Sequence, residues 1–235
     1  MAGYRSILCI SDQHFPYNHP DICPFLKSIA NKYSPDKIVN MGDELDYHAI
    51  SFHDKDPELM GPSDELKTAI ARMSPLFDLF PTMDIIESNH GSLVYRKAKH
   101  HGIPRHVMKS YREVIGAPQG WRWHPDLTLK MSDGNNVYLC HGRSSNGLKL
   151  SQSLGMSTVQ GHFHSKFEIQ YWGNSIGLYW SMVSGCLIEK DSLAFAYGKL
   201  DLFKPIIGTS IILNGVPKLL PMILTKAGRW NGLIP

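Results

Sequence analysis

Five short clusters of Asp, Asn and His punctuate this sequence, and each follows an apolar run. Ser11-Asp12-Gln13-His14 follows ILCI, Gly42-Asp43-Glu44-Leu45-Asp46 follows KIVNM, and Ser88-Asn89-His90-Gly91 closes MDIIE. Further on, His141-Gly142 follows VYLC, and Gly161-His162-Phe163-His164 follows TVQ. Carboxylate, amide and imidazole donors in one mixed set suit Mn, Fe, Ni, Zn or Co, whereas Ca favours oxygen alone. Singly, each cluster is ordinary. Asp-x-His arises by chance, Gly-Asp often ends a strand, and His-x-His on a strand puts two rings on one face. Five in order, each at the end of an apolar run, are a different observation, because ligand sites in α/β sheets lie at the carboxyl ends of strands.

Those runs have to be strands if the clusters are to meet. Residues 6–11, 37–41 and 83–87 read as buried strands. Between them, residues 21–32 suit a helix with Pro24 in its first turn. A polar, His-rich loop runs from Glu44 to Pro62. Ser63 is the expected N-cap of a second helix, with Asp64 and Glu65 where the helix dipole favours carboxylates. Leu66, Ile70, Met73 and Phe77 form its apolar stripe, and Pro75 is expected to kink or shorten it.

The second half changes character. Asp133-Gly134 and Asn214-Gly215 each sit between apolar runs and predict hairpins. Residues 157–160, 166–172 and 176–183 read as short strands. Pro217 and Pro221 push the final run, VPKLLPMIL, towards a sheet edge. A chain that passes from alternating strand and helix to mostly strand is α/β, and two mixed sheets with helices outside accommodate both halves.

Composition excludes other classes. A 235-residue chain that is 43% hydrophobic and 19% charged is not disordered, and a single domain over 1–235 is expected. No apolar run reaches 18 residues, so no membrane span is expected. The N-terminal run ends in Asp and His, not at a small-residue cleavage site, so no signal peptide is expected. The net charge, 24 − 21 = +3, does not by itself argue for nucleic acid. Cys9, Cys23, Cys140 and Cys186 form no CxxC pair and read as reduced thiols of a cytoplasmic protein.

The order DxH, GDxxD, NH, HG, GHxH resembles the calcineurin-like metallophosphoesterase superfamily, over the stretch from Asp12 to His164. The closing GHxH is closer to its phosphodiesterase and nuclease branches than to its Ser/Thr phosphatases. The resemblance implies a four-layer αββα sandwich of two mixed β-sheets flanked by helices. It implies two divalent transition metal ions, Mn foremost, with Ni, Fe, Zn or Co as the others. By the same resemblance Asp12, His14 and His164 hold one ion and Asn89, His141 and His162 the other, with Asp43 between them. His90 lies over the substrate phosphate, and Asp46 orients it. Two cations roughly 3.5–4 Å apart clamp phosphoryl oxygens during in-line displacement and lower the pKa of a bridging water, supplying hydroxide near neutral pH. One departure stands out. The family reads GNH followed by Glu or Asp, and here Ser88 and Gly91 flank Asn89-His90.

The implied substrate is a phosphodiester. Residues 96–112 carry six Lys or Arg, three His and no Asp or Glu. They read either as a basic wall for a nucleic-acid or nucleotide backbone or as a solvated helical face. Arg96 and Arg143 are candidate phosphate contacts. Tyr95, Tyr111, Trp121 and Trp123 are candidate stacking residues, and His48 and His53 are candidate pocket residues or free surface His. Two alternatives stand beside the diesterase: a phosphomonoesterase, and a catalytically silent metal-binding scaffold.

Overall fold

The computed structural model describes residues 3–52, 56–195 and 202–235. Its first sheet starts with β1 (Ser6–Ile10), whose five residues are all buried. Alternation along β1 decides the layering. Leu8 and Ile10 pack with the helices, and Ile7 and Cys9 point the other way into a second core. After it come α1 (Ile22–Tyr33), β2 (Lys37–Asn40), α2 (Pro62–Leu79), β3 (Thr82–Ile86), α3 (Leu93–His100), α4 (Tyr111–Ile115) and β4 (Gly120–His124). Strands β1 to β4 are parallel neighbours. The hairpin of β10 (Gly208–Leu213) and β11 (Val216–Pro221) adds antiparallel to β1, giving the order β11-β10-β1-β2-β3-β4. The proline-bearing β11 is at the edge, as Pro217 and Pro221 require.

The second sheet has the order β5-β6-β7-β9-β8, from β5 (Leu127–Lys130), β6 (Asn136–Cys140), β7 (Ser157–Gln160), β8 (Phe167–Gly173) and β9 (Leu178–Ser184). Between the sheets lie Ile7, Cys9, Val39, Met41, Val137, Leu139, Val159 and Met182. Outside the first sheet, Phe25, Leu26 and Ile29 of α1 and Met73 and Leu76 of α2 cover Leu8, Ile10 and Ile85. Outside the second, α5 (Gly147–Leu154) packs on β7, β8 and β9, and its Ser151 Oγ accepts from Trp172 Nε1 at 2.7 Å. The result is the expected sandwich of two mixed sheets between helices. Among the described residues, no helix is long and apolar enough to cross a membrane, and all four cysteines are free.

Several local expectations give way. The N-cap of α2 is Gly61 with Pro62 in the first turn, so Ser63 lies inside the helix. Pro75 does not end α2, which continues to Leu79. Ser74 Oγ donates to Ala71 O at 3.0 Å, and so satisfies the carbonyl that the missing Pro75 N–H leaves free. The stretch WRW, in which exposed Arg122 alternates with the two tryptophans, forms β4, and Trp121 is only 1% exposed with its Nε1 donating to Phe80 O. The basic segment is no single helical face. It breaks into α3, a 3-10 turn at Arg105–Val107, and α4, capped by a Ser110–Glu113 box. The His162-Phe163-His164 stretch lies beyond β7 in a turn, so the two rings are not paired by strand alternation.

Candidate metal centre

All five clusters lie at the carboxyl ends of β1, β2, β3, β6 and β7, and the parallel pairing within each sheet turns those ends to one side. The loops that carry them are strained. Asp12, His14, Asp43 and His162 all have left-handed backbone, with φ of 50°, 51°, 53° and 70°. Each such residue costs about 1–2 kcal/mol, and strain of this kind persists where the surroundings over-determine the conformation. Two glycines let the loops close. Gly42 has φ +101°, and a Cβ there would stand 2.6 Å from Ser88 Cβ. A Cβ on Gly161 would stand 2.6 Å from Asp12 Oδ2. Ser88 earns its place in the departure from the family pattern, because its Oγ accepts from Asp43 N at 3.0 Å and Gly91 N at 3.1 Å.

Hydrogen bonds fix which ring atoms carry lone pairs. His141 Nδ1 donates to Met41 O at 2.8 Å, which leaves Nε2 to face Asn89 Oδ1 at 2.8 Å and Asp43 Oδ2 at 3.1 Å. In a neutral ring all three of these atoms are acceptors, so a proton or a cation must lie among them. His14 repeats the arrangement. Its Nδ1 donates to Asp46 Oδ1 at 2.6 Å, and its Nε2 faces His164 Nε2 at 3.2 Å and Asp43 Oδ2 at 3.6 Å. Asp12 Oδ1 lies 3.2 Å from His164 Nε2, while its Oδ2 accepts from Ser11 Oγ and from His162 N. Asp43 Oδ1 accepts from His90 N at 3.1 Å, so its Oδ2 is the atom that faces both halves of the cluster.

Three sets of donor atoms close enough to share an ion result: Asp12 with His14 and His164, Asp43 with His141 and His162, and His14 with Asp43 and His90. The donor set fits divalent cations. It is mixed nitrogen and oxygen, its two carboxylates are buried, and every ion pair recorded for Asp12 and Asp43 is with a histidine. Burial opposes charge on each member, yet mutual attraction wins at four of them. Burial works against the Asp12 anion, but His14 and His164 hold its carboxyl well below the usual range. Asp43 is likewise held low, against burial, by the charge and hydrogen bond of His141. His14 is held up to about 10 despite burial, by Asp12 and Asp46, and His141 to about 9 by Asp43. Ligands of this kind release protons as a cation replaces them.

Asp46 acts through two different atoms. Its carboxylate accepts from His14, while its backbone carbonyl accepts from His90 Nδ1. His90 is thereby left with Nε2 as the ring nitrogen free of the backbone, and burial together with the His14 charge lowers its pKa.

Sequence reasoning missed Glu44. This side chain is fully buried, its Oε1 accepts from Trp123 Nε1 at 3.2 Å, and burial raises its pKa to about 7. The same oxygen lies 4.0 Å from where a Cβ on Gly91 would sit, so a carboxyl group from the β2 loop stands beside the position at which the family carries an acid. No spacing in the sequence signals this. The two candidate phosphate contacts do not join the cluster. Arg143 pairs with Asp126 at 2.7 Å, and Arg96 lies over the Phe52 ring at 5.1 Å. Trp121 is in the core, Trp123 is tied to Glu44, and the Tyr111 ring packs on Trp123 at 5.6 Å, so Tyr95 alone of the four candidate stackers is exposed. His48 is mostly buried, 3.9 Å from Asp46 Oδ2, and His53 lies outside the described residues.

No family model matches the chain, and no curated protein matches it. Solved structures with a similar chain path include Vps29 complexed with zinc from Entamoeba histolytica, with 12% identity over 98% of this chain and 96% of that one at a TM-score of 0.49. Vps29 from Chaetomium thermophilum gives 12%, 97%, 94% and 0.49, and Yfce, a phosphoesterase from E. coli, gives 10%, 96%, 96% and 0.42. These likenesses, all below 25% identity, concern the chain path alone.

Proposed function

We propose that this chain is a dinuclear metal-dependent phosphoesterase that hydrolyses phosphodiesters. One observation supports it above the others. Asp43 Oδ2 lies 3.1 Å from His141 Nε2 and 3.6 Å from His14 Nε2, so one carboxylate joins two groups of donors. Asp12, His14 and His164 would hold one divalent ion and Asn89, His141 and His162 the other, with Mn as the first candidate. Such a pair of ions supplies charge neutralisation at phosphoryl oxygens and a nucleophile near neutral pH.

The chain's own residues do the rest. Asp46 fixes the His14 ring through Nδ1, the outer support that metal-ligating imidazoles require. Asn89 is a neutral ligand, which limits the negative charge facing an anionic phosphate. His90, anchored by the Asp46 carbonyl, keeps Nε2 for the substrate. An arriving phosphoryl anion raises the pKa of this ring, and Nε2 then gives its proton to the leaving oxygen. The GHxH order from Gly161 to His164, which resembles the phosphodiesterase branches, favours a diester over a monoester.

The test is hydrolysis of bis-p-nitrophenyl phosphate against p-nitrophenyl phosphate by metal-stripped protein, with Mn, Ni, Zn or Mg added back. Diester turnover restored by Mn or Ni is the expected result. Preference for the monoester would replace this reading with a phosphatase. Metal uptake without turnover of either would replace it with a silent scaffold.

A further inference from the structure

The basic segment after His90 is not absorbed by the metal centre. In the structure it lies at the surface from Tyr95 to Ser110, apart from Lys97, Ala98 and Met108. Its charges are unusual in sign. The exposed side of α2 intersperses Asp64, Lys67, Arg72 and Asp78, with Lys67 paired to Asp64 at 3.6 Å, as a solvated helix does. Around α3, by contrast, the cations approach rings. Lys97 Nζ stands 4.0 Å and Arg96 5.1 Å from the Phe52 ring centre, and Arg105 stands 5.2 Å from that of Tyr95. Phe52 is 54% exposed, a large ring left at the surface beside like charges.

Position adds to charge. Helix α3 begins three residues after His90, and Lys97 Nζ donates to Ser51 O at 3.4 Å, which ties the helix to the loop leaving Asp46. An eight-residue helix is about 12 Å long, the reach of a few nucleotides. Cations track a phosphate backbone, and exposed rings offer stacking surfaces that tolerate any base.

We infer that the face formed by Phe52, Tyr95, Arg96, Lys99 and Arg105 binds single-stranded nucleic acid and leads it to the His90 edge of the metal centre. What then happens to the strand rests on the phosphodiesterase reading; the binding rests on this face alone.

The test is fluorescence anisotropy with a labelled 12-residue oligothymidylate on metal-free protein, so that no cleavage intervenes, between 50 and 200 mM salt. Exposed Arg96, Lys99 and Arg105 are changed to Ala together. At about 0.7 per single-strand phosphate contact, the slope of log affinity against log salt should fall by about 2. Phe52→Ala should weaken the oligonucleotide about tenfold and leave inorganic polyphosphate, which has no bases, unaffected. Three results would overturn the proposal: salt-independent binding, equal binding by the triple variant, or a Phe52→Ala loss as large for polyphosphate as for oligonucleotide. Hydrolysis of the small diester by the wild-type protein separates the two claims. Turnover without oligonucleotide binding removes the surface and keeps the enzyme; binding without turnover does the reverse.

Discussion

The two sides of the donor cluster are built differently. On one side, Asp12 and His14 are sealed from solvent, and the His14 ring is locked by the buried Asp46 carboxylate. On the other, His141 is locked only by a backbone carbonyl, and His162 is exposed. Asp43 belongs to both. The difference teaches that one side is built into the folded core and the other is open to solvent. An ion on the sealed side is then held by residues the fold itself depends on, while an ion on the open side can exchange with little effect on stability.

The largest effect should come from the residue the two sides share. Asp43→Asn should cut diester hydrolysis by about a thousandfold and weaken both ions together, with the far-UV circular dichroism unchanged. If only one ion were lost, Asp43 would belong to one side alone.

Next comes the contrast itself. His14→Ala leaves the buried Asp46 carboxylate without the imidazole that donates to it, so it should cost about 3 kcal/mol of stability as well as one ion. His162→Ala should also cost an ion but change stability by less than about 1 kcal/mol. Denaturant melts with metal analysis on both variants check this, and equal stability losses would erase the distinction. Asp46→Asn is a finer probe. It should lower affinity on the sealed side by about 10- to 100-fold through loss of ring orientation, and leave the open side nearly unchanged in a two-site titration.

A separate prediction concerns pH. His14 and His141 are held up to about 10 and about 9, above the unfolded His value of about 6.5. The stability they contribute to metal-free protein is therefore full below about 6.5 and is lost as pH rises through about 9 and then 10. Melting temperature of the metal-free form should fall between pH 8 and 10, and cation affinity should rise over the same range as protons leave. A flat profile would mean that neither ring is held in its charged form.

Much of this was legible in the sequence because the signals are local. A buried strand is a short apolar run, and a cluster at its end announces a ligand site whichever way the sheets pack. The Asn-Gly hairpin and the edge position of β11 follow from turn chemistry and proline in the same way. What was not legible depends on contacts between distant segments. Trp121 reads as a stacking residue until β4 pairs with β3 and buries it. Glu44 reads as a spare acid in the β2 loop until folding sets it beside Trp123 and Gly91. Pro75 reads as a helix breaker until Ser74 takes over the freed carbonyl. The division of labour in Asp46, carboxylate to His14 and carbonyl to His90, has no sequence signature at all.

The most direct test of a two-ion centre is a Mn titration of the metal-free protein followed by electron paramagnetic resonance. Two equivalents per chain and the multiline spectrum of a spin-coupled pair are predicted, with both lost in Asp43→Asn. One bound equivalent, or two that give only the signal of isolated ions, would contradict the account.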